Sequence, residues 1–173
     1  VMAMGSSSPV GLLEQADYVF LNNGTGDFGA PLTLPTPYGN GMNVEIADLN
    51  QDTWLDILMI NLFSERDFVW LNNGQAQFRP YNEFPRIGPH YDGGIFDADG
   101  DGDVDVFLMQ TGDEVDNALY GPEQLFINDN GRWIERSDLI DFNSDDVHDH
   151  DMNYADLNGD GLIDVVIVVD NLP

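Results

Sequence analysis

The chain has 173 residues, 42% of them hydrophobic, but 32 acidic residues against 5 basic ones give it a formal net charge of -27. Nucleic acid and anionic membranes are poor partners for such a chain, since phosphate binding needs a basic footprint. The absence of cysteine excludes disulfides, zinc–thiolate sites and a cysteine nucleophile. Cations are therefore the expected partners, and no apolar run approaches the length of a membrane span.

The chain predicts short strands joined by turns. Residues 1–4 read as an apolar strand, and 12–16 as one helical turn at most. Three later stretches predict β-hairpins, because Asn-Gly between apolar runs tolerates the positive φ of a tight turn. These hairpin turns lie at 22–24, 72–74 and 129–131, and a second helical turn is predicted at 136–140.

An acidic nonapeptide that occurs three times is the most informative pattern. The copy at Asp97–Asp105 has a carboxylate at every second position and glycine at the sixth, and an apolar strand follows. The frame returns at Asp48–Asp56 and Asp156–Asp164. Oxygens from side chains 1, 3, 5 and 9, with a backbone carbonyl at position 7, suit calcium, a hard cation that takes about six to eight oxygen ligands. An EF-hand is excluded, because its bidentate Glu at position 12 is replaced here by an apolar residue in every copy.

The three loops also define a repeat. Their first residues, Asp48, Asp97 and Asp156, are 49 and 59 positions apart. Each unit reads strand, acidic loop, strand, strand, Asn-Gly turn, strand, which is typical of β-propeller blades. The predicted fold is therefore all-β and β-propeller-like, with about three four-stranded blades that carry calcium loops.

The repeat predicts the organisation of the chain. Residues 1–34 form a partial blade, 42–84 and 92–140 form blades with the first and second loops, and 150–173 form a partial blade with the third. Both ends fall within a repeat, and about three blades are fewer than a closed propeller needs. We therefore expect a larger propeller or a multi-chain assembly, in which neighbouring copies supply strands to the open β edges.

These residues match a known family. The frame D-x-[DN]-x-D-G-x-x-D, followed by an apolar strand and paired with an aromatic-flanked Asn-Asn-Gly turn, resembles the FG-GAP and VCBS repeats of integrin-α-like β-propellers and secreted bacterial proteins. The resemblance covers nearly the whole chain and implies about three Ca²⁺ ions, each in a loop that joins the first two strands of a blade. The implied side-chain ligands are Asp48, Asn50, Asp52 and Asp56 in loop one, Asp97, Asp99, Asp101 and Asp105 in loop two, and Asp156, Asn158, Asp160 and Asp164 in loop three, with position-7 carbonyls from Trp54, Asp103 and Leu162.

Loop one departs from this pattern at its sixth position. Thr53 stands where loops two and three have Gly102 and Gly161. If this position needs a positive φ, a β-branched residue is strained there, and we expect the first site to bind more weakly or to be distorted.

Two other stretches suggest sites. His148 and His150 lie among acidic residues and would share one side of a strand, which suits a transition metal, but a solvated acidic loop is the favoured interpretation. Asn23 begins an N-glycosylation acceptor sequence in a predicted exposed turn, although the turn alone accounts for these residues.

Polar residues also recur five positions before each loop, at Asn43, Asp92 and Asp151. They are predicted to cap a loop, to contact its ligands, or only to begin a strand. Most aromatic side chains are predicted to form the core between blades; they are Phe20, Trp70, Phe78, Phe96, Phe107, Phe126, Trp133 and Tyr154. Four rings near loops are candidates for stacking on a sugar; they are Tyr81, Phe84, His90 and Tyr91.

Two classes of function remain open. The first is an extracellular calcium-binding module with a structural, adhesion or fibre-forming role and a protein or glycan ligand. Weak calcium sites fill where calcium is plentiful, which predicts a secreted or cell-surface location. The second is an accessory or catalytic domain of a secreted polysaccharide-active enzyme, or a lectin. The first is favoured, because the sequence has no G-x-S-x-G motif and its paired carboxylates belong to the metal loops.

Overall fold

The structure is a computed structural model that describes residues 16–35, 41–61, 66–85, 90–110, 122–140 and 148–170, with backbone alone at 148–150 and 169–170. The strand predicted at 1–4 lies outside these residues, as does nearly all of the helical turn predicted at 12–16.

The described chain is all-β. A single 3-10 turn, Ser137–Leu139, falls within the helical turn predicted at 136–140. No helix in the described ranges is long and apolar enough to cross a membrane. The strands are β1 Tyr18–Val19, β2 Leu32–Thr33, β3 Gly41–Ala47, β4 Asp56–Asn61, β5 Phe68–Asn72, β6 Phe78–Pro80, β7 Asp92–Phe96, β8 Asp105–Met109, β9 Gln124–Asp129, β10 Arg132–Glu135, β11 His148–Ala155 and β12 Asp164–Asp170.

The strands form sheets in the order of the chain. Strands β3 to β6 make one four-stranded antiparallel sheet, and β7 to β10 make a second. The flanking sheets, β1–β2 and β11–β12, have two strands each within the described residues. The fold is thus β-propeller-like, as predicted, but only two of the expected three four-stranded blades are seen in the part of the chain that the structure describes.

Alternating side chains of the second strand in each sheet fill successive layers of core. Every residue of β4 is buried. Leu58 packs toward Leu108 of the next sheet, whereas Met59 packs toward Val19 of the preceding one. Successive side chains of a strand point to opposite faces of its sheet, so these apolar runs pack against the sheets on both sides. Each fully buried aliphatic side chain contributes about 1.5–3 kcal/mol to the stability of this stacking.

The first strands of three neighbouring sheets, β3, β7 and β11, are joined by a shared carboxylate. Asn43 Nδ2 donates to Asp92 Oδ1, and the Met152 N–H donates to Asp92 Oδ2 at 2.9 Å. A Cβ built at Gly94 would lie 2.7 Å from the Tyr154 ring, so glycine permits the close approach of β11. Asn43 and Asp92 therefore link neighbouring sheets, and they do not cap an acidic loop.

A buried polar pair lies next to the start of β7, at the same end of the sheets as Asp92. His90 and Asp67 have fully buried side chains, with His90 Nδ1 2.5 Å from Asp67 Oδ2. His90 Nε2 lies 2.8 Å from Gln124 Oε1, while Gln124 Nε2 donates to Glu135. Burial raises the pKa of Asp67, although its hydrogen bond with His90 lowers it. Both ring nitrogens of His90 therefore lie within hydrogen-bond distance of a side-chain oxygen.

Candidate metal centres

Each acidic loop connects the first two strands of its sheet, and all three loops fold alike. The position-1 carboxylate accepts the position-6 N–H at 2.7, 3.0 and 2.9 Å in loops one, two and three. The position-3 side chain accepts the position-5 N–H at 3.0, 3.2 and 2.8 Å. The position-5 carboxylate accepts the position-7 N–H at 2.9, 2.8 and 2.9 Å. The repeated sequence frame is therefore also a repeated hydrogen-bond frame.

The position-9 carboxylate anchors each loop to its sheet. Asp56 and Asp105 are 0% and 1% exposed, whereas Asp164 is half-buried. All three accept the N–H of loop position 2, at 3.0, 2.7 and 2.9 Å. The second oxygen of Asp56 and Asp105 accepts an N–H of the third strand, from Asn72 and Asn128, at 2.8 Å in both cases. Loops one and two are thus tied to three strands.

The buried carboxylates at loop position 9 are in surroundings that disfavour an unpaired negative charge. Burial raises the pKa of Asp105, and its neighbours Asp99 and Asp101 raise it further, against the lowering effect of its backbone hydrogen bonds. Asp56 has a raised pKa for the same first reason, burial. Asp156 is exposed, and the N–H groups of its own loop lower its pKa. The buried carboxylates therefore gain most from a nearby positive charge.

The chemistry of the donors fits a hard divalent cation. Asp97, Asp99 and Asp105 each bring one carboxylate oxygen within 4.8 Å of the others. Neither of the two ion pairs found among the described residues involves an acidic loop. An all-oxygen set without a basic partner suits calcium or magnesium better than a transition metal.

The position-7 residues differ in their surroundings. Trp54 is 47% exposed and lies over Gly74, where an added Cβ would be 2.4 Å from its ring. Leu162 is 53% exposed, whereas Asp103 is only 9% exposed. The N–H of each residue donates to the position-5 carboxylate, so the three backbones have the same position in their loops. Their side chains, in contrast, have different surroundings.

Left-handed backbone recurs at two positions of every loop. Position 6 has φ +76° at Thr53, +96° at Gly102 and +89° at Gly161, which confirms that Thr53 occupies a conformation suited to glycine. Position 4 is also left-handed. It is Gly100 and Gly159 in loops two and three, but Gln51, with φ +60°, in loop one.

The hairpins that face the acidic loops use two kinds of turn. Asn130 and Gly131 both have positive φ and form the expected two-residue turn between β9 and β10. The turns at 22–28 and 72–78 are longer, and their Asn residues do not have positive φ. Instead, the Asn side chains accept backbone N–H groups two residues ahead, at 2.7 to 3.1 Å. The three predicted hairpins are therefore confirmed, but the positive φ expected of Asn is found only at Asn130.

Four of the eight predicted core aromatics are buried, and Phe78, Trp133 and Tyr154 are half-buried and pack against the buried clusters. Trp70 and Phe126 are 1% and 2% exposed, but Phe20 is 41% exposed and is not part of the buried core. The suggestion that Phe84 and His90 stack on a sugar is wrong, because these rings are only 3% and 0% exposed. The side chains of His148 and His150 lie outside the described residues. Asn23 is exposed, and its amide oxygen accepts from Thr25 Oγ1 at 2.6 Å.

Sequence reasoning missed a connection between loops one and two. Gln51 Nε2 donates to Asp103 Oδ1 across the sheets. Asn128 Nδ2 faces the backbone oxygens of Leu49 at 3.5 Å and Val104 at 3.3 Å. The available signal was Gln51 at position 4, where loops two and three have glycine, because a non-glycine residue is uncommon at a positive φ.

Comparison with known proteins gives one result. A family model described as an FG-GAP-like repeat matches residues 10–59 and 48–108, and these ranges include loops one and two. The third loop lies outside both ranges. No curated protein matches the chain.

Proposed function

Because the chain belongs to the FG-GAP-like repeat family, we propose that it is a calcium-binding module whose three acidic loops each hold one ion. In each loop the side chains at positions 1, 3, 5 and 9 and the carbonyl at position 7 would be the ligands. The ion would supply the positive charge that these carboxylates lack.

One observation carries this proposal: the oxygens of Asp97, Asp99 and Asp105 converge within 4.8 Å with no basic side chain paired to them. Loops one and three share the same hydrogen-bond frame. Calcium tolerates flexible geometry and takes about six to eight oxygens, whereas magnesium demands a near-octahedral site.

The role that follows is structural. Each loop joins the first two strands of its sheet, so repulsion among its carboxylates opposes folding of that sheet when no cation is bound. Metal binding should therefore couple to folding. Such sites fill where calcium is plentiful, which supports a secreted or cell-surface location and an adhesion or assembly role.

Calorimetry and thermal unfolding test the calcium proposal. We expect about three calcium ions per chain and a large fall in Tm in excess chelator, with little rescue by magnesium. Asp97→Asn should remove one ion from the stoichiometry, and Glu83→Gln, which removes the same charge from an exposed residue outside the loops, serves as the control. An unchanged melt in chelator would refute the proposal.

Self-assembly is the second part of the proposal. Within the described residues β12 pairs only with β11, and Val166 and Val168 are 48% and 54% exposed. An apolar strand with an open edge is a typical site for strand addition. Light scattering in calcium should show association that Val168→Lys reduces. A monodisperse monomer at high concentration in calcium would exclude assembly through this edge.

Glycan binding is a second candidate function, favoured by a cavity of about 310 Å³ beside loop one. Its lining includes Asn50, Asp52, Gln77, Phe78 and Arg79, which offers a ring, amides and a guanidinium next to the proposed ion. A glycan array in calcium tests it, with Arg79→Ala expected to lose any signal. The appearance of new reducing ends would distinguish a hydrolase from a lectin.

A further inference from the structure

Loops one and two touch each other through side chains. Gln51, at position 4 of loop one, donates its amide to Asp103 Oδ1, at position 7 of loop two. The other oxygen of Asp103 accepts the Asn130 N–H at 3.0 Å. Asp103 is only 9% exposed, so the Gln51 amide is one of few groups able to satisfy this carboxylate.

Two further contacts bind the same pair of loops. Asn128 Nδ2 lies between the Leu49 oxygen of loop one and the Val104 oxygen of loop two. Leu49 itself is 0% exposed and packs with Val106 and Phe126 of the following sheet. Loop one is therefore seated in the sheet that carries loop two.

In the part of the chain that the structure describes, no equivalent side-chain hydrogen bond joins loops two and three. The position-4 residue of loop two is Gly100, which has no side chain to reach forward. Leu157, at position 2 of loop three, is 65% exposed, in contrast to the buried Leu49. Among the three loops, only loop one has a side chain at the left-handed position 4 that can reach the next loop.

We propose that cation binding in loop one and loop two is positively coupled through the Gln51–Asp103 contact, while loop three binds independently. This inference rests on the proposed calcium-binding function. Gln51 lies between the position-3 and position-5 ligands of loop one, and Asp103 supplies the position-7 carbonyl of loop two. A cation that orders either loop fixes one end of the shared hydrogen bond, so the other loop loses less freedom when it binds. The coupling must be reciprocal.

Terbium luminescence excited through tryptophan can report loop one, because Trp54 is its position-7 residue. Asp101→Asn weakens loop two, and Asp160→Asn is the matched change in loop three. We expect Asp101→Asn to weaken terbium binding at loop one about fivefold, at the low end of typical coupling factors, and Asp160→Asn to leave it unchanged. In a Gln51→Ala background the effect of Asp101→Asn should fall below about twofold, whereas Gln75→Ala, an exposed glutamine in the same sheet, should preserve it.

Gln51→Ala changes no charge, so it leaves the electrostatic interaction between the two ions unaltered. A loss of coupling in this variant would therefore be due to the missing Gln51–Asp103 hydrogen bond. An equal effect of Asp101→Asn in both backgrounds would overturn the assigned route, and no effect in the parent chain would overturn coupling itself. Should Asp101→Asn fail to fold, calcium calorimetry of Gln51→Ala alone decides: a cooperative isotherm must become less cooperative, and an unchanged isotherm overturns the inference. Independent binding of three ions would leave the proposed function intact, whereas absence of binding would remove both.

Discussion

Replacing Thr53 by glycine isolates the cost of a left-handed side chain in loop one. Thr53 is exposed and has φ +76°, so its substitution removes little buried surface. The equivalent residues Gly102 and Gly161 have φ +96° and +89°, which shows that glycine fits this loop. The hydrogen bond from the position-6 N–H to Asp48 would be kept, since it comes from the backbone.

The expected gain can be worked from these angles. A left-handed L-residue costs about 1–2 kcal/mol, while glycine is disfavoured by about 0.5–1 kcal/mol because its unfolded chain is more flexible. The difference between these ranges is a net stabilisation of about 0–1.5 kcal/mol, with its centre near about 0.75 kcal/mol. For a chain of this size, about 1 kcal/mol raises Tm by about 2–4 °C.

Urea unfolding in saturating calcium, followed by circular dichroism, measures this change. The reverse substitution, Gly102→Thr in loop two, should lower the free energy of unfolding by a similar amount. If Thr53→Gly has no effect or destabilises the protein while Gly102→Thr is costly, the strain assigned to loop one is wrong. A tighter site one in Thr53→Gly would further show that the loop adopts this conformation only on binding the ion.

Three other changes should separate the parts of the fold. Asp56→Ala should destabilise the protein by about 1.5–3 kcal/mol more than Asp164→Ala, because it removes one additional charged hydrogen bond; urea unfolding measures the difference. Gly94→Ala should cost about 1–3 kcal/mol by pushing a methyl group into the Tyr154 ring, measured in the same way. Asp67→Asn should change how the free energy of unfolding depends on pH, measured in saturating calcium across the acid and neutral range.

The direction of the pH effect follows from the raised pKa of Asp67, which burial causes. A carboxyl that keeps its proton to higher pH when folded adds stability that is complete below its unfolded pKa of about 3.9. That stability is lost as the pH rises through the folded pKa. The advantage of the parent chain over Asp67→Asn should therefore shrink as pH rises. An advantage that grows with pH would contradict the raised pKa.

The first two changes also have clear controls. Gly29→Ala is expected to be nearly neutral, because an added Cβ there meets nothing within 4 Å and Gly29 does not have a positive φ. A similar cost at Gly29 and Gly94 would mean that the close approach of β11 is not responsible. Equal effects of Asp56→Ala and Asp164→Ala would show that the bond to the third strand adds no stability.

The sequence predicted what depends on local pattern. The alternation of apolar residues after each acidic loop marked the buried second strands, and the spacing of carboxylates marked loops that share one hydrogen-bond frame. The strain at Thr53 was also predictable, because the other two loops have glycine at that position. Local chemistry suffices for these features, since the residues that determine them lie within a few positions of one another.

Contacts between sheets were not predictable from the sequence. Asp67, His90 and Gln124 are far apart in the chain and meet only when two sheets pack, so no local pattern marks the buried pair. Gln51 and Asp103 are separated in the same way. The two longer Asn turns were mistaken for tight turns because the same residues serve either as left-handed backbone or as side-chain acceptors.

Asp92 has a consequence for how such chains can be lengthened or shortened. One of its carboxylate oxygens accepts a hydrogen bond from Asn43 in the preceding sheet, and the other accepts one from the Met152 N–H in the following sheet. If a whole repeat is duplicated or deleted, the buried carboxylate of Asp92 loses one or both of these partners and needs equivalent donors from the new neighbouring sheets. Evolution by repeat duplication would be expected to favour copies that keep both partners at these positions. In amide hydrogen exchange, β7 should then open only when the neighbouring sheets open with it.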